Sequence, residues 1–584
     1  MNVKKLFAGI AAAATMLGGL ALGAATANAA IVTDGDTTIT INAENAVRLD
    51  GHTDFKAVKL ADYDVYGENP NQSATLTTNA AIADKVRDAV NAALAEEVPA
   101  GSDPLAWAQQ QDEAKFDQSI NSPWFGNGTS RSLATQLVAS LEAGDYQTVS
   151  MTIDANDPKT GTLTMPSPGL WMILDQTAVD TQTDESGNMT KKGSSKALPI
   201  IVGTPFAINE GATTEKIYSD GTVEMKNQIL TVEKKVGDQT IAIGKDATYT
   251  IDTKIPNYVG YKVKGYTFTV SDQFEKSAPL AYKAGSLVVK VGDVTLDDDQ
   301  YTVTGFDANS KTFTVDLSEY IKSIGLKEKI KVSDDTVFDN DKLVGQGVTI
   351  TYAATVTGTI SEQGAANRPF VEYPHNPSSN EDKDKIPGVP VKVFNFDYTL
   401  KKTDKVTGDV LKGAKFTIQN TETKKYLAYG YDQGKQSMSW SDLDVQPSGG
   451  EGQDETVGVF TTGDDGLIAF KGLDEGSYKI EEIAAPEGHA NIGLSFTVKI
   501  EANITGEGNE AVAAPTYTVS GDTWGLVSDG NSAEVTVRNI KSITELPLTG
   551  AAGTMLFTLV GLLLAGGAAT VYLRSRSAKR ALMR

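Results

Sequence analysis

The chain has 584 residues, no cysteine, three histidines (His52, His375 and His489) and a formal net charge of −23. Its length exceeds one ordinary domain and points to three or four. The acidic balance removes any electrostatic basis for nucleic-acid binding, the missing thiols exclude disulfides, and three scattered histidines argue against a His-based zinc site or a Ser-His-Asp triad.

The first residues, "MNVKK", are basic and lead into the apolar run "LFAGIAAAATMLGGLALGAA". Ala27-Asn28-Ala29 then fits small-x-small cleavage, so residues 1–29 read as an export signal and the mature chain is expected to begin near Ala30. The alternative is an uncleaved anchor helix, against which the small residues before the cut speak. Without Lys4, Lys5, Arg574, Arg576, Lys579, Arg580 and Arg584, the body holds 45 basic against 75 acidic residues, a balance of −30. An exported body without disulfides needs another staple to resist mechanical or proteolytic stress.

Residues 31–229 form a first block. It opens on the alternating run "TTITINA" and contains two helical patterns, at 79–97 ("NAAIADKVRDAVNAALAEE") and 132–145 ("SLATQLVASLEAGD"). A second block, 230–378, runs from "LTVEKKVGD" through "DATYTIDTKI", "YTFTVSD" and "GVTITYAATVTG". Residues 379–390, within the polar and Pro-punctuated "SSNEDKDKIPGVP", read as a linker. A third block, 391–541, holds "AKFTIQN", "LSFTVKI" and "AEVTVRN", with a Gly-rich surface loop expected at 445–455. Short period-2 runs bounded by Gly, Asp or Asn predict a mainly β chain of tandem β-sandwiches, with some helix in the N-terminal block. Acidic stretches such as "LDDDQY" lack an EF-hand pattern and read as solvated loops, and no phosphate-binding glycine motif appears.

Residues 551–573 contain no charge and are long enough to span a bilayer as a helix. The basic tail 574–584 follows and is expected to stay cytoplasmic. Immediately before the span lies Leu546-Pro547-Leu548-Thr549-Gly550. This pentapeptide resembles the LPxTG sorting signal of Gram-positive wall-anchored proteins. The resemblance implies that a membrane sortase cuts between Thr549 and Gly550, holds the Thr549 carbonyl as a thioester and passes it to an amine. Pro547 suits an extended peptide in a groove, since it fixes φ and donates no backbone hydrogen bond.

The third block opens with "YTLKKTDKVTGDVLKGAKFTI", contains "YKIEEIAAPEGH" (478–489) and closes with "AEVTVRNIK". It resembles the collagen-adhesin B-type domain and the pilin E-box. Tyr478, Ile480, Glu482, Ala485, Pro486 and Gly488 are in register, and Ile483 and His489 depart from the pattern's Thr and final Tyr. The resemblance implies an amide between the side chains of Lys402 and Asn539, promoted by Glu482. Lys401 competes with Lys402, because strand neighbours face opposite ways.

The second block opens with "VEKKVGD…IGKDATYTIDTKIP" and closes with "GVTITYAATVTG…AANRPFVEY". It resembles the isopeptide-forming middle domain of fimbrial shaft proteins, related to collagen-adhesin A-type, immunoglobulin-like sandwiches. By position the bond joins Lys235 to Asn367 with Asp272 as the buried acid, and Lys234 is the out-of-register rival. Burial strips such a lysine of its proton, proximity replaces a bimolecular encounter, and a protonated carboxyl can hydrogen-bond the amide oxygen.

Taken together, the chain resembles a major, or shaft, subunit of a sortase-assembled Gram-positive pilus. This implies that Thr549 is joined to a lysine of the next subunit. Position selects Lys226, although its surroundings, Val223-Glu224-Met225-Lys226-Asn227, lack the Tyr and Pro of the pilin pattern. "PSPGLWMILDQTA" (166–178) stands where an E-box of the first block would fall but lacks the Glu, so no third internal bond is predicted. The implied partners are pilus-specific and housekeeping sortases, identical subunits, peptidoglycan and host or other cell-surface ligands, with no cofactor. A monomeric wall-anchored adhesin is the alternative. An acid-pair surface hydrolase is a third reading, disfavoured by the residue inventory.

Overall fold

The computed structural model describes residues 30–546, apart from 70, 111–128, 178–181, 184–188, 192–194 and several shorter stretches, together with Thr558. The export signal, Pro547 to Gly550, the rest of the predicted span 551–573 and the tail 574–584 lie outside the described residues. Among the described residues no helix is long and apolar enough to cross a membrane.

The first block is a nine-stranded arrangement. Its main path uses β1 (Thr38–Asn42), β2 (Asp54–Tyr66), β4 (Gln147–Ile153), β5 (Thr160–Thr164), β6 (Leu170–Asp175), β7 (Ile200–Gly203) and β8 (Thr222–Glu224), in the order β7-β6-β2-β4-β5-β1-β8, with β3 (Ser73–Thr78) added on β2. Among the described residues this block has the helices α1 (Ala83–Leu94), α2 (Pro104–Ala108) and α3 (Thr129–Ser140). Both expected helices are therefore present, each shorter than its periodic window. Val86, Val90 and Leu137 bury against Leu60, Leu76 and Met172 on one side, while Ile39, Phe55, Trp171 and Met225 form a separate core.

The second block is a sandwich of two antiparallel sheets. One contains β9 (Glu233–Val236), β10 (Asp246–Lys254), β14 (Gly347–Val356) and β12 (Val288–Val291), in that order. The other contains β13 (Thr312–Asp316), β11 (Thr269–Phe274), β15 (Ala365–Asn376) and β16 (Ser379–Pro387), with β17 (Val391–Val393) also paired to β15. Strict alternation on β14, "GVTITYAATV", turns Val348, Ile350, Tyr352, Ala354 and Val356 inward.

The expected linker 379–390 is corrected here. Most of it is strand β16, which pairs Phe370 to Pro387 and Glu372 to Lys385. Charged residues on an edge strand block further pairing, and the composition that does this is also that of a connector.

The third block has a three-stranded sheet, β22-β18-β26, facing a larger sheet, β21-β20-β19-β23-β24-β25. The strands are β18 (Phe396–Asp404), β19 (Lys415–Asn420), β20 (Tyr426–Asp432), β21 (Ser437–Leu443), β22 (Leu467–Leu473), β23 (Gly476–Ala484), β24 (Ser495–Glu501), β25 (Thr516–Ser520) and β26 (Glu534–Asn539). First and last strands, β18 and β26, run parallel as neighbours, with Asp404 opposite Asn539.

The second and third blocks share one continuous apolar core. The loop after β9 enters the third block. Ile243 donates its amide to Gly472 O at 2.9 Å and accepts from the Trp440 amide at 3.0 Å, so its backbone bridges β22 and β21. Lys392 on β17 adds hydrogen bonds to the carbonyls of Asn509 and Ala511 at 2.7 and 2.9 Å.

Asp474 lies at this joint. Burial raises its carboxyl to about 6, opposed by a hydrogen bond from Thr240 and reinforced by Asp238. A carboxyl whose pKa is higher folded than unfolded favours the folded state only while protonated, so its contribution is lost as pH rises from about 4 to about 6. Asp474→Asn is therefore expected to stabilise the joint by about 1–3 kcal/mol at pH 7 and by nothing at pH 4. Thermal unfolding at the two pH values measures this, and an equal gain at both would refute it.

Candidate crosslinking sites

In the third block, alternation along β18 turns Lys402 inward, fully buried, and leaves Lys401 on the other face. Lys402 Nζ lies 3.0 Å from Glu482 Oε1, and Asn539 Nδ2 donates to the same oxygen at 3.1 Å. The ammonium approaches the carboxyl closely but without the alignment of a hydrogen bond. Phe416 covers Nζ at 5.4 Å from its ring centre. Burial lowers the Lys402 pKa against the pull of Glu482, and burial raises that of Glu482 against the pull of Lys402. Both shifts favour an uncharged amine beside an uncharged carboxylic acid.

Glu482 Oε2 and Asn539 Oδ1 are buried without a hydrogen-bond partner among the described residues. A half-turn of the Asn539 amide exchanges its oxygen and nitrogen at no steric cost and offers the oxygen to a protonated Glu482. The donor would then polarise the Asn539 carbonyl carbon toward attack by Lys402 Nζ.

In the second block the structure corrects the choice of lysine. Lys235 is exposed on β9, whereas the Lys234 side chain is fully buried. Glu233 and Lys235 flank it on the outer face, and a one-residue step along a strand reverses the side chain. Lys234 Nζ donates to Asp272 Oδ2 and, at 2.7 Å, to Tyr352 Oη. It also sits 4.6 Å from the Tyr249 ring centre and 4.9 Å from that of Tyr352. Burial lowers its pKa to about 8 despite the opposing effect of Asp272. Asp272 and Asn367 occupy neighbouring strands of the facing sheet, β11 and β15, and both are fully buried.

Tyr352 is the member that the sequence reading missed. Its hydroxyl donates to Asp272 Oδ2 and accepts from Asn367 Nδ2 at 2.6 Å, so it joins acid, amine and amide. The inward phase of "GVTITYAATV" carried the signal. Asp272 Oδ1 and Asn367 Oδ1 have no hydrogen-bond partner among the described residues, as at the other site.

Lys226 follows β8 and is half-buried. Its carbonyl accepts from the Leu198 amide at 2.9 Å. The next residue is fixed by reciprocal bonds: Arg48 Nη1 donates to Asn227 O at 2.7 Å, and Asn227 Nδ2 donates to Arg48 O at 2.6 Å. In the "PSPGLWMILDQTA" stretch, Asp175 is held by His52 Nδ1 at 2.7 Å and by the Ala197 and Thr177 amides. Of the terminal pentapeptide only Leu546 is described, and it is buried. His489, where the E-box pattern has Tyr, places Nε2 3.1 Å from Asp404 Oδ2.

Two segments of the chain match known protein families. Residues 396–510 match the prealbumin-like fold domain SpaA, and residues 541–577 match the LPXTG cell wall anchor motif. The chain is 23% identical over 456 residues to the trypsin-resistant surface T6 protein of Streptococcus pyogenes, covering 65% of this chain and 75% of that one. It is 27% identical over 386 residues to fimbrial subunit type 1 of Actinomyces viscosus, covering 60% and 65%. Among solved structures, the T6 backbone pilin of serotype M6 Streptococcus pyogenes aligns over 88% of this chain and all of that one, at 13% identity and a TM-score of 0.47.

The chain is thus a wall-anchored surface protein of the Gram-positive type, carrying an LPXTG anchor behind a prealbumin-like domain. Two of the relatives it resembles are named fimbrial subunits.

Proposed function

We propose that the protein is the shaft subunit of a covalently polymerised pilus, stiffened by two internal amides, Lys234–Asn367 and Lys402–Asn539. The observation that carries the second part is the pair of buried lysine–carboxyl–asparagine clusters, one in each of two successive sandwiches. In each, the neutral lysine nitrogen attacks the asparagine Cγ. The carboxyl takes a proton from the attacking nitrogen and delivers it to the departing amide nitrogen. A C–N bond forms, another breaks and one ammonia leaves. This is a single event in the protein's own core. Asp272, relayed by Tyr352, and Glu482 are the proton carriers.

Polymerisation joins the Thr549 carbonyl of one subunit to a lysine amine of the next, and Lys226 is the proposed acceptor. Its backbone is clamped on both sides, which orients the side chain without a long flexible approach. Cells carrying Lys226→Arg should lose the high-mass ladder on denaturing gels and keep the monomer. An unchanged ladder would exclude Lys226. A wild type without any ladder would favour a monomeric wall-anchored adhesin.

A further inference from the structure

The chain does not trail away from the third block after β26. Ile540 is buried and its carbonyl accepts from the Ala490 amide at 2.8 Å. The next residues turn back as a short 3-10 turn, Ile543–Glu545, capped by Ser542. Glu545 Oε2 accepts from the Lys541 amide at 3.0 Å, and Lys405 Nζ donates to the Glu545 carbonyl. This turn seats Leu546 in the apolar core of the block at 4% exposure, while Ile543 stays 53% exposed. Leu546 is also the first residue of the sorting pentapeptide. The same side chain therefore serves two hosts, its own domain and the groove of the processing enzyme.

We propose that the third block holds Leu546 as a plug that meters the sorting peptide, with Lys405 as the positioning residue that latches it. The proposal rests on the pentapeptide being a sortase substrate. While the plug is seated, only Pro547, Leu548 and Thr549 separate the folded domain from the scissile bond, a reach of about 10 Å at full extension. An extended peptide bound in a groove requires Leu546 to leave its site. Withdrawing a buried leucine from apolar surroundings lowers the available fraction about 10- to 100-fold. After transfer, the seated plug would draw the neighbouring subunit against the end of the domain that carries Lys405 and Lys541.

The test uses the full-length precursor in detergent with purified sortase and hydroxylamine as acceptor, so that Lys226 plays no part. Hydrogen exchange at the Leu546 amide, which donates to Ile543 O at 3.3 Å, reads the plug directly. Lys405→Met keeps the apolar stem and removes the latch without touching the pentapeptide. It is expected to reduce Leu546 protection and to raise the cleavage rate about 3- to 10-fold through a lower KM at unchanged kcat. Lys405→Arg should restore both. The proposal is overturned by an unprotected Leu546 amide in the wild type, by loss of protection in Lys405→Met with no change in cleavage, or by a faster rate that comes from kcat alone. A wild-type precursor that no sortase cleaves sinks the sorting reading and this proposal with it. A precursor cleaved equally with the plug seated or free sinks the plug alone.

Discussion

Lys234→Ala is expected to leave the mature chain one ammonia heavier than wild type, after allowance for the substitution, and to lower the melting temperature of the second block by about 10–30 °C. Two effects add. Losing a crosslink that closes a loop of about 130 residues forfeits roughly 4–5 kcal/mol by analogy with disulfide entropy. Removing the Lys234 nitrogen also leaves the buried Asp272 without one hydrogen-bond partner, at a further cost of about 1–3 kcal/mol. At about 2–4 °C per kcal/mol for a domain of this size, the shift is large. Lys235→Ala is the internal control. Its side chain faces solvent, so both mass and melting temperature should match wild type. Intact-mass measurement with scanning calorimetry decides the matter. A free Lys234 in wild-type peptide maps, or an ammonia regained in Lys235→Ala, would overturn the assignment.

Glu482→Gln should produce a folded third block that never crosslinks. The substitution preserves shape and leaves an amide able to hydrogen-bond to Asn539, but it removes the group that cycles the proton. Lys402 tolerates the change because its burial already favours the neutral amine. The expected mass rises by one ammonia relative to wild type, and melting falls by about 10–15 °C, following the lost loop constraint of roughly 4–5 kcal/mol. The unlinked chain should also migrate more slowly on denaturing gels, since its denatured state is less compact. A Glu482→Gln chain with wild-type mass would remove Glu482 from the chemistry.

The two sites differ in how far the sequence disclosed them. Lys402, Glu482 and Asn539 come together in the structure because a spaced pattern fixes the register of β23, and because β18 alternates from Phe396 to Lys402. The four residues of β9 are too few to set their own phase, and adjacent lysines at 234 and 235 make either choice chemically plausible. Only the tertiary surroundings resolve it, through Asp272 on the opposing sheet and Tyr352 two strands away in the same sheet. Tyr352 was legible as an inward residue but not as a hydrogen-bonding one, since that depends on Asn367, which lies across the sandwich. Strand β16 was hidden by its charges, which serve solubility at an edge. The seat of Leu546 left no pattern at all, because a single side chain returning to a core has no periodicity.

The passage of Ile243 between β21 and β22 has a mechanical consequence for an assembled filament. A backbone bridged on both sides, within a core continuous across two blocks, makes those blocks one inflexible rod. Bending is then confined to the remaining articulations of each repeat, and a fibre under shear would swing into line with the flow before any single rod elongated.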